Sequence, residues 1–263
     1  IKKTIKNFAK IKVHVVGDTI IDSYSNTVPI GGPVKYPHLS LLNISKQDYV
    51  GGAAIVASHL SSAGCDTTFT SVIGDDENGK FLKKELLKSR VKFNCIIDKN
   101  RPTTNKNTIV AKNQKILKLD TLDNTPMSEE ITKNISKKIS SVKCDAIIFS
   151  DFRHGIFNKD SIPQYSKKIQ KKIFKVADSQ VASRWGNILD FENFDLITPN
   201  EREARFALGD QDSSIRPLAT NLFNKSKCKL LILKLGEKGS LTYKKKDWNR
   251  VDSFFVLDSF VRN

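Results

Sequence analysis

The sequence predicts an α/β protein, a doubly wound and mostly parallel sheet with a small β-lid. Three observations predict it. Short apolar runs such as IKVHVVG (11–17), DAIIFS (145–150) and KLLILKLG (229–236) read as buried strands. Stretches with apolar residues at helical spacing lie between them, and strands alternating with helices imply a parallel sheet covered on both faces. Two segments, 38–50 and 108–120, break the alternation and read as extended chain. Ligands of such sheets bind beyond the carboxyl ends of the strands, so functional residues are sought there.

IKVHVVG is the first strand and ends at Gly17. The following DTIID places Asp18 and Asp22 just past its carboxyl end. Carboxylates there can accept hydrogen bonds from sugar hydroxyls, or simply form a turn. In YVGGAAIVASHLSSAG (49–64), Ile55, Val56, His59, Leu60 and Ala63 recur at helical spacing, so a helix is expected over 52–63, stopped by Gly64. Gly51 and Gly52 open it. A glycine turn before a helix can hold an anion, because the first helical N–H groups are unpaired. No Gly-Lys-Ser/Thr follows, so this is not a Walker A loop. The pair is either a ligand-binding loop or a tight helix entry.

A strand at 67–74 and a helix near 78–89 come next. TIVAKNQKILKLD (108–120) reads as a hairpin turning at Lys112-Asn113-Gln114. With 38–50 it makes the lid, expected from about 23–50 and 95–120, and able to close over a substrate and exclude water. Further helices are expected near 128–141, 159–171 and 200–208, and strands at 145–150, 173–177, 194–199 and 229–236, with GSLTYKK starting another. The whole chain, 1–263, reads as a single domain.

Asp151 in SDFRHGIF sits at a strand end, as a ligand contact or as a turn former, and Gly155 permits a sharp turn. His154 is a lone loop histidine and is read as non-catalytic. In TPNEREARFALG, Asn200 is a good N-cap and Glu203 completes a capping box. The same geometry sets an amide and a carboxylate at the mouth of the sheet, where a hydrated Mg²⁺ on a nucleotide could sit. Spacing alone favours the cap. In KLGEKGSLTY, Gly236 and Gly239 would let a nucleotide approach the backbone and Lys234 could face phosphate; an ordinary glycine hairpin is the other reading.

Composition narrows the partners. Lys and Arg number 44 against 28 Asp and Glu, a net charge of +16, which attracts polyanions. The lysines are spread between apolar helix positions, as in KKIQKKIFK, and no basic run is interleaved with aromatics, so a nucleic-acid partner is not expected. The 4 cysteines show no CxxC spacing, which argues against a zinc site or disulfide framework and for a reducing, cytoplasmic location. No apolar run approaches the roughly 20 residues that span a bilayer, and the Lys-rich start lacks the apolar core of a signal peptide. Beginning at Ile1 and stopping at SFVRN, the chain reads as part of something longer.

The order of these motifs is more specific than any one of them. A first strand ending in G-D-x-x-x-D, a Gly-Gly helix entry, an S-D-x-x-x-G loop, T-P-N-x-x-E and a late strand ending G-x-x-G resemble the ribokinase-like (PfkB) carbohydrate kinases, from about residue 11 to 263. The lid stretch RPTTNKNTIVAKNQKILKLD resembles the heptose 7-phosphate kinases of lipopolysaccharide core synthesis through Pro102, Thr103, Lys106, Asn113, Gln114, Leu119 and Asp120. GDTIID and GGAA add to that likeness. The resemblance implies transfer of the γ-phosphoryl group of ATP, with Mg²⁺, to a sugar hydroxyl. By it Gly51 and Gly52 line the sugar site, Asp22 holds hydroxyls, Lys106 meets an anionic group and Asp151 stands on the substrate side. Asn200 and Glu203 organise the nucleotide phosphates, with Glu203 toward the metal, while Lys234, Gly236 and Gly239 lie beside ATP. A homodimer through the lid is a further implication.

Three departures stand out. Ile55 occupies a position where the family usually has Asn. Asp178-Ser179-Gln180 replaces D-P-K. The family's D-T-x-G-A-G-D is absent from the 263 residues; its last Asp is the base and its glycines open an anion-stabilising helix. A chain ending at Asn263 is expected to bind poorly and to turn over hardly at all. Two other readings stay open: a kinase of a nucleoside or simple sugar, and a non-catalytic sugar- or nucleotide-binding protein.

Overall fold

The apolar runs form the middle of a long sheet. The computed structural model describes residues 6–30, 39–181, 185–244 and 247–251. The strands are β1 Lys12–Gly17, β2 Thr19–Pro29, β3 Leu41–Gly51, β4 Asp66–Ile73, β5 Lys92–Ile97, β6 Asn105–Ala111, β7 Gln114–Thr121, β8 Ala146–Asp151, β9 Phe174–Ser179, β10 Leu196–Ile197, β11 Leu230–Lys234, β12 Ser240–Lys244 and β13 Asp247–Val251. The helices are α1 Gly52–Ser62, α2 Glu77–Lys88, α3 Glu129–Ser141, α4 Ser161–Ser166, α5 Glu201–Leu208 and α6 Ile215–Ser226.

The main sheet has the order β13-β12-β11-β10-β9-β8-β1-β4-β5. Its pairs are parallel from β11 to β5, with an antiparallel edge formed by β12 and β13. From β1 the chain builds outward through β4 and β5, then returns to build the other way through β8 to β11. The direction therefore reverses between β1 and β8, and a crevice at such a switch point is where open α/β sheets bind ligands. Val13, Val15 and Val16 of β1 are all buried, as a strand covered on both faces requires.

Two apolar layers clamp the sheet. On one face α1 and α2 bring Ala53, Ala57, Leu82 and Leu86 onto Val15, Phe69 and Ile73. On the other, Ile131, Ile135 and Ile139 of α3 repeat at helical spacing onto Ile147, Phe149 and Phe157, next to Leu218 and Leu222 of α6. The sequence reading placed no helix at α6; its Pro217 stands in the first turn, where proline is tolerated. The helix expected over 159–171 shrinks to α4. Ile162 and Tyr165 are fully buried and Ile169 is partly buried against the same core, while the lysines around Ile169 have nothing to bury.

The second sheet, β3-β2-β6-β7, is the lid. Its closing turn is Lys112-Asn113, with φ of 49° and 61°, and Ala111 opposes Gln114. That is a two-residue primed hairpin turn. The limits expected for the lid need correction. β2 leaves the main sheet directly after Asp18, so the lid starts at Thr19. Residues 92–97 belong instead to the main sheet as edge strand β5, where Phe93 stacks on Phe69 at 5.3 Å.

Candidate active site

The site is built where the lid springs from the switch point. Asp18, at the end of β1, is buried, and its carboxylate accepts hydrogen bonds from the N–H groups of Phe152 (3.0 Å), His154 (3.2 Å) and Ile156 (3.3 Å). Burial pushes this carboxyl up, opposed by those three donors and by Arg153. Asp18 thus fixes the loop that follows β8. Asp151 anchors the same loop from the other side. Its Oδ1 accepts the Arg153 N–H at 2.8 Å and its Oδ2 accepts the Ser179 hydroxyl at 2.7 Å. Arg153 Nε lies 2.9 Å from Oδ2 in an ion pair although its N–H is not aligned for a hydrogen bond. Arg153 also donates to Asp190 at 2.7 Å. At 2 % exposure, with both oxygens engaged within the protein, Asp151 serves here as an anchor of the loop.

Asp22, Gly51, Gly52 and Lys106 do come together. Asp22 sits opposite Tyr49 on one side and Lys106 on the other, and Lys106 opposite Asp120. Directly opposed residues share a face, so Tyr49, Asp22, Lys106 and Asp120 form one row across the lid. A Cβ on Gly51 would lie 2.2 Å from Asp22 Oδ2, and one on Gly52, whose φ is +59°, would lie 2.5 Å from the Asp18 carbonyl. The paired glycines are therefore a tight helix entry, and they also let the Asp22 carboxylate lie against the backbone.

Lys106 is half-buried, and its ammonium has no hydrogen bond or ion pair among the described residues. Burial pulls it below its usual pKa, with Lys118 adding to the pull and Asp120, Asp22 and Asp18 opposing it. Asp22 is pushed up by burial against Lys106 and Lys118. A half-buried cation without a hydrogen-bond or ion-pair partner, near carboxylates, is a candidate ligand-contacting group.

His154 is buried near Lys106, and burial and that lysine lower its pKa to about 4. His14 in β1 bonds Thr70 Oγ1 at 2.8 Å and is lowered by burial, also to about 4. Both gain a proton in the unfolded chain near pH 6.5, but only near pH 4 when folded. The unfolded state binds more protons in that window, so the stability present above pH 6.5 is lost as pH falls toward 4, by about 1.4 kcal/mol per pH unit for each histidine. Urea midpoints between pH 7 and pH 4.5 check this, and His14→Gln is expected to remove about half of the two-histidine slope.

A second group lies at the ends of β9, β10 and β11. Asp178 Oδ1 accepts from Thr198 Oγ1 and from Lys234 Nζ, both at 2.9 Å. Asn200 caps α5: its Oδ1 accepts the Glu203 N–H at 2.9 Å, while Glu203 Oε2 accepts the Asn200 N–H at 2.7 Å. Glu203 is buried, which pushes its carboxyl up, against the Asn200 N–H. Beyond Lys234, Gly236 and Gly239 turn with φ of +59° and +82°. A Cβ on Gly236 would meet nothing within 4 Å, so space beside the backbone is open there. Sequence reasoning missed the roles of Asp178 and Thr198; a polar residue closing a buried strand was the available signal.

These groups suit a nucleotide carrying its own magnesium. Among the described residues no cluster of three or more His, Cys, Asp or Glu is placed to hold a metal. Mg²⁺ commonly takes one or two carboxylates and completes its shell with water and phosphate, and Glu203 and Asp178 supply that number. The sequence model of the pfkB family carbohydrate kinases matches residues 10–259. The chain belongs to the PfkB family.

Similarity to individual PfkB relatives is more modest. The chain is 32 % identical over 204 residues to the bifunctional protein HldE of Campylobacter jejuni subsp. doylei, covering 76 % of this chain and 41 % of that protein. It is 28 % identical over 233 residues to the bifunctional protein HldE of Helicobacter hepaticus, covering 83 % and 46 %. It thus spans less than half the length of these relatives. Among solved structures, Escherichia coli phosphofructokinase-2 in complex with fructose-6-phosphate matches with a TM-score of 0.76 at 18 % identity, over 94 % of this chain and 81 % of that one. Ribokinase of Thermotoga maritima matches with a TM-score of 0.68 at 19 % identity, over 94 % and 79 %. At such identities the likeness is one of PfkB fold.

Proposed function

We propose that this PfkB protein is an ATP-dependent kinase of a phosphorylated, heptose-like sugar. The observation that carries the reading is the Lys106 ammonium, half-buried and unpaired, in one row with Asp22 and Asp120 across a lid that opens at the switch point. Such a cation suits an anionic group on the acceptor, and Asp22 suits hydroxyls. The likeness of the lid stretch to the heptose 7-phosphate kinases and the similarity to HldE proteins support the same acceptor. Ile55 offers no hydrogen bond, so hydroxyl recognition rests on Asp22 and the backbone at Gly51 and Gly52.

Mg·ATP supplies the phosphoryl group, with the metal offsetting phosphate charge. Asn200 and Glu203 orient the phosphates and the metal, Lys234 adds positive charge, and Gly236 and Gly239 admit the nucleotide. The acceptor oxygen forms a bond to γ-phosphorus as the bond to the β–γ bridging oxygen breaks, releasing ADP. The acceptor proton needs a base, and the 263 residues contain no GAGD aspartate to serve; this reading assigns none within them. It places the reaction in the cytoplasm, where ATP is available; none of the described helices is long and apolar enough to cross a membrane. Exposed Val28, Leu42, Leu117 and Leu119 on the lid support a homodimer formed through it.

Incubating the full-length protein with Mg·ATP and a sugar panel that includes heptose 7-phosphate tests the reading, with mass spectrometry of the products. Transfer to the phosphorylated heptose is the expected result. Transfer only to unphosphorylated sugars or nucleosides overturns the acceptor and keeps the kinase. ATP binding without transfer to anything overturns both.

A further inference from the structure

We propose that Arg101 is a positioning residue that locks the lid's mounting strands to the loop behind the switch point, and so sets where Lys106 stands. The proposal rests on the kinase reading only for its kinetic consequence. Arg101 is buried, and its guanidinium ties together three chain segments. Nε donates to Asp98 Oδ2 at 3.2 Å, Nη1 to the carbonyls of Asp123 (3.1 Å) and His154 (3.2 Å), and Nη2 to the carbonyl of Thr125 (3.2 Å). The first segment leads from β5 into β6. The second, 123–125, leads out of β7. The third is the loop pinned by Asp18.

The surroundings are shaped for this contact. A Cβ on Gly155, whose φ is +109°, would lie 2.8 Å from Arg101 Nη1 and 2.4 Å from the Thr125 carbonyl. Only glycine accommodates both that backbone angle and the close passage. From Arg101 the chain runs to Lys106 along a braced track. The Thr103 N–H donates to Asp76 Oδ2 at 2.7 Å, and Thr103 Oγ1 accepts the Gly74 N–H at 2.9 Å. The Ile21 N–H donates to the Thr104 carbonyl at 2.8 Å, so the strand bearing Asp22 is braced by the same track. A planar fork with several donors in fixed directions can hold three segments at once, which lysine cannot. Without it, β6 and β7 would keep their pairing but lose their common fixture to the loop.

The test compares Arg101→Lys and Arg101→Met with the wild type in the full-length protein. Hydrogen exchange is read for the amides of 105–121 and 152–156 and, as a reference, for those of β11. Both variants are expected to exchange at least ten-fold faster in 105–121 and 152–156, with β11 unchanged. The sugar KM is expected to rise about ten-fold with the ATP KM unchanged, the lysine variant falling between wild type and Met. Faster exchange everywhere, or no change at the lid, overturns the proposal. If the wild type phosphorylates no sugar, the kinase reading fails while the exchange result still decides the clamp. If the Met variant does not fold, the Lys variant alone decides by the same readings.

Discussion

Replacing Lys106 by methionine is expected to lower kcat/KM for a phosphorylated sugar by about 10²–10³-fold, while leaving an unphosphorylated analogue nearly unaffected. The magnitude follows from the environment. An ammonium on the surface gives a phosphate little, because water screens it. Lys106 is half-buried, has no partner among the described residues, and is already held below its usual pKa by burial. Losing one partner of a desolvated charge pair costs about 2–5 kcal/mol, and every 1.4 kcal/mol is ten-fold. Methionine keeps most of the apolar stem, so packing against the lid changes little. The fold should not suffer, because a half-buried charge with Lys118 beside it carries a solvation cost that methionine lacks. Equal urea midpoints alongside the kinetic loss would assign the effect to the ligand. An equal fall for phosphorylated and unphosphorylated sugars would sink the anion-binding role.

Which parts of this protein were legible in the sequence follows from how each is encoded. The central strands β1, β8 and β11 are written as apolar runs, because strands covered on both faces must be apolar throughout. The α5 entry is equally plain, since a capping box is a local hydrogen-bond exchange between Asn200 and Glu203. β5 was hidden because it is half-buried on an edge and carries no continuous apolar run. The part played by Asp18 and Asp151 was illegible for a different reason. Both lie at strand ends, where ligand contacts and loop anchors look alike in sequence. Only the folded chain shows the carboxylates turned onto the backbone of 152–156 and onto Ser179 and Arg153. Arg101 is the extreme case, because three of its four partners lie 22, 24 and 53 residues away.

Changing Glu203 to glutamine is expected to cut kcat by about 10²-fold and weaken the apparent affinity for Mg²⁺, with stability unchanged within about 0.5 kcal/mol. The substitution separates two roles that coincide in one side chain. As the third residue of α5, Glu203 accepts the Asn200 N–H at 2.7 Å. A glutamine carbonyl can accept the same bond, and either residue completes a capping box. What glutamine lacks is the negative charge, which burial makes costly for the fold to hold. Charge kept in a buried place at a helix cap, when a neutral residue would cap as well, points to a use outside the fold. Asn200→Ala provides the contrast: it removes the side-chain cap and is expected to cost about 1 kcal/mol of stability as well as activity. Urea denaturation and Mg²⁺ titration of kcat on both variants decide the matter. If Glu203→Gln keeps wild-type kcat and Mg²⁺ dependence, the carboxylate is a cap alone, and the metal must be held by Asp178 or by residues elsewhere. If it loses activity at full stability, the capping box is the mount on which a catalytic charge is carried.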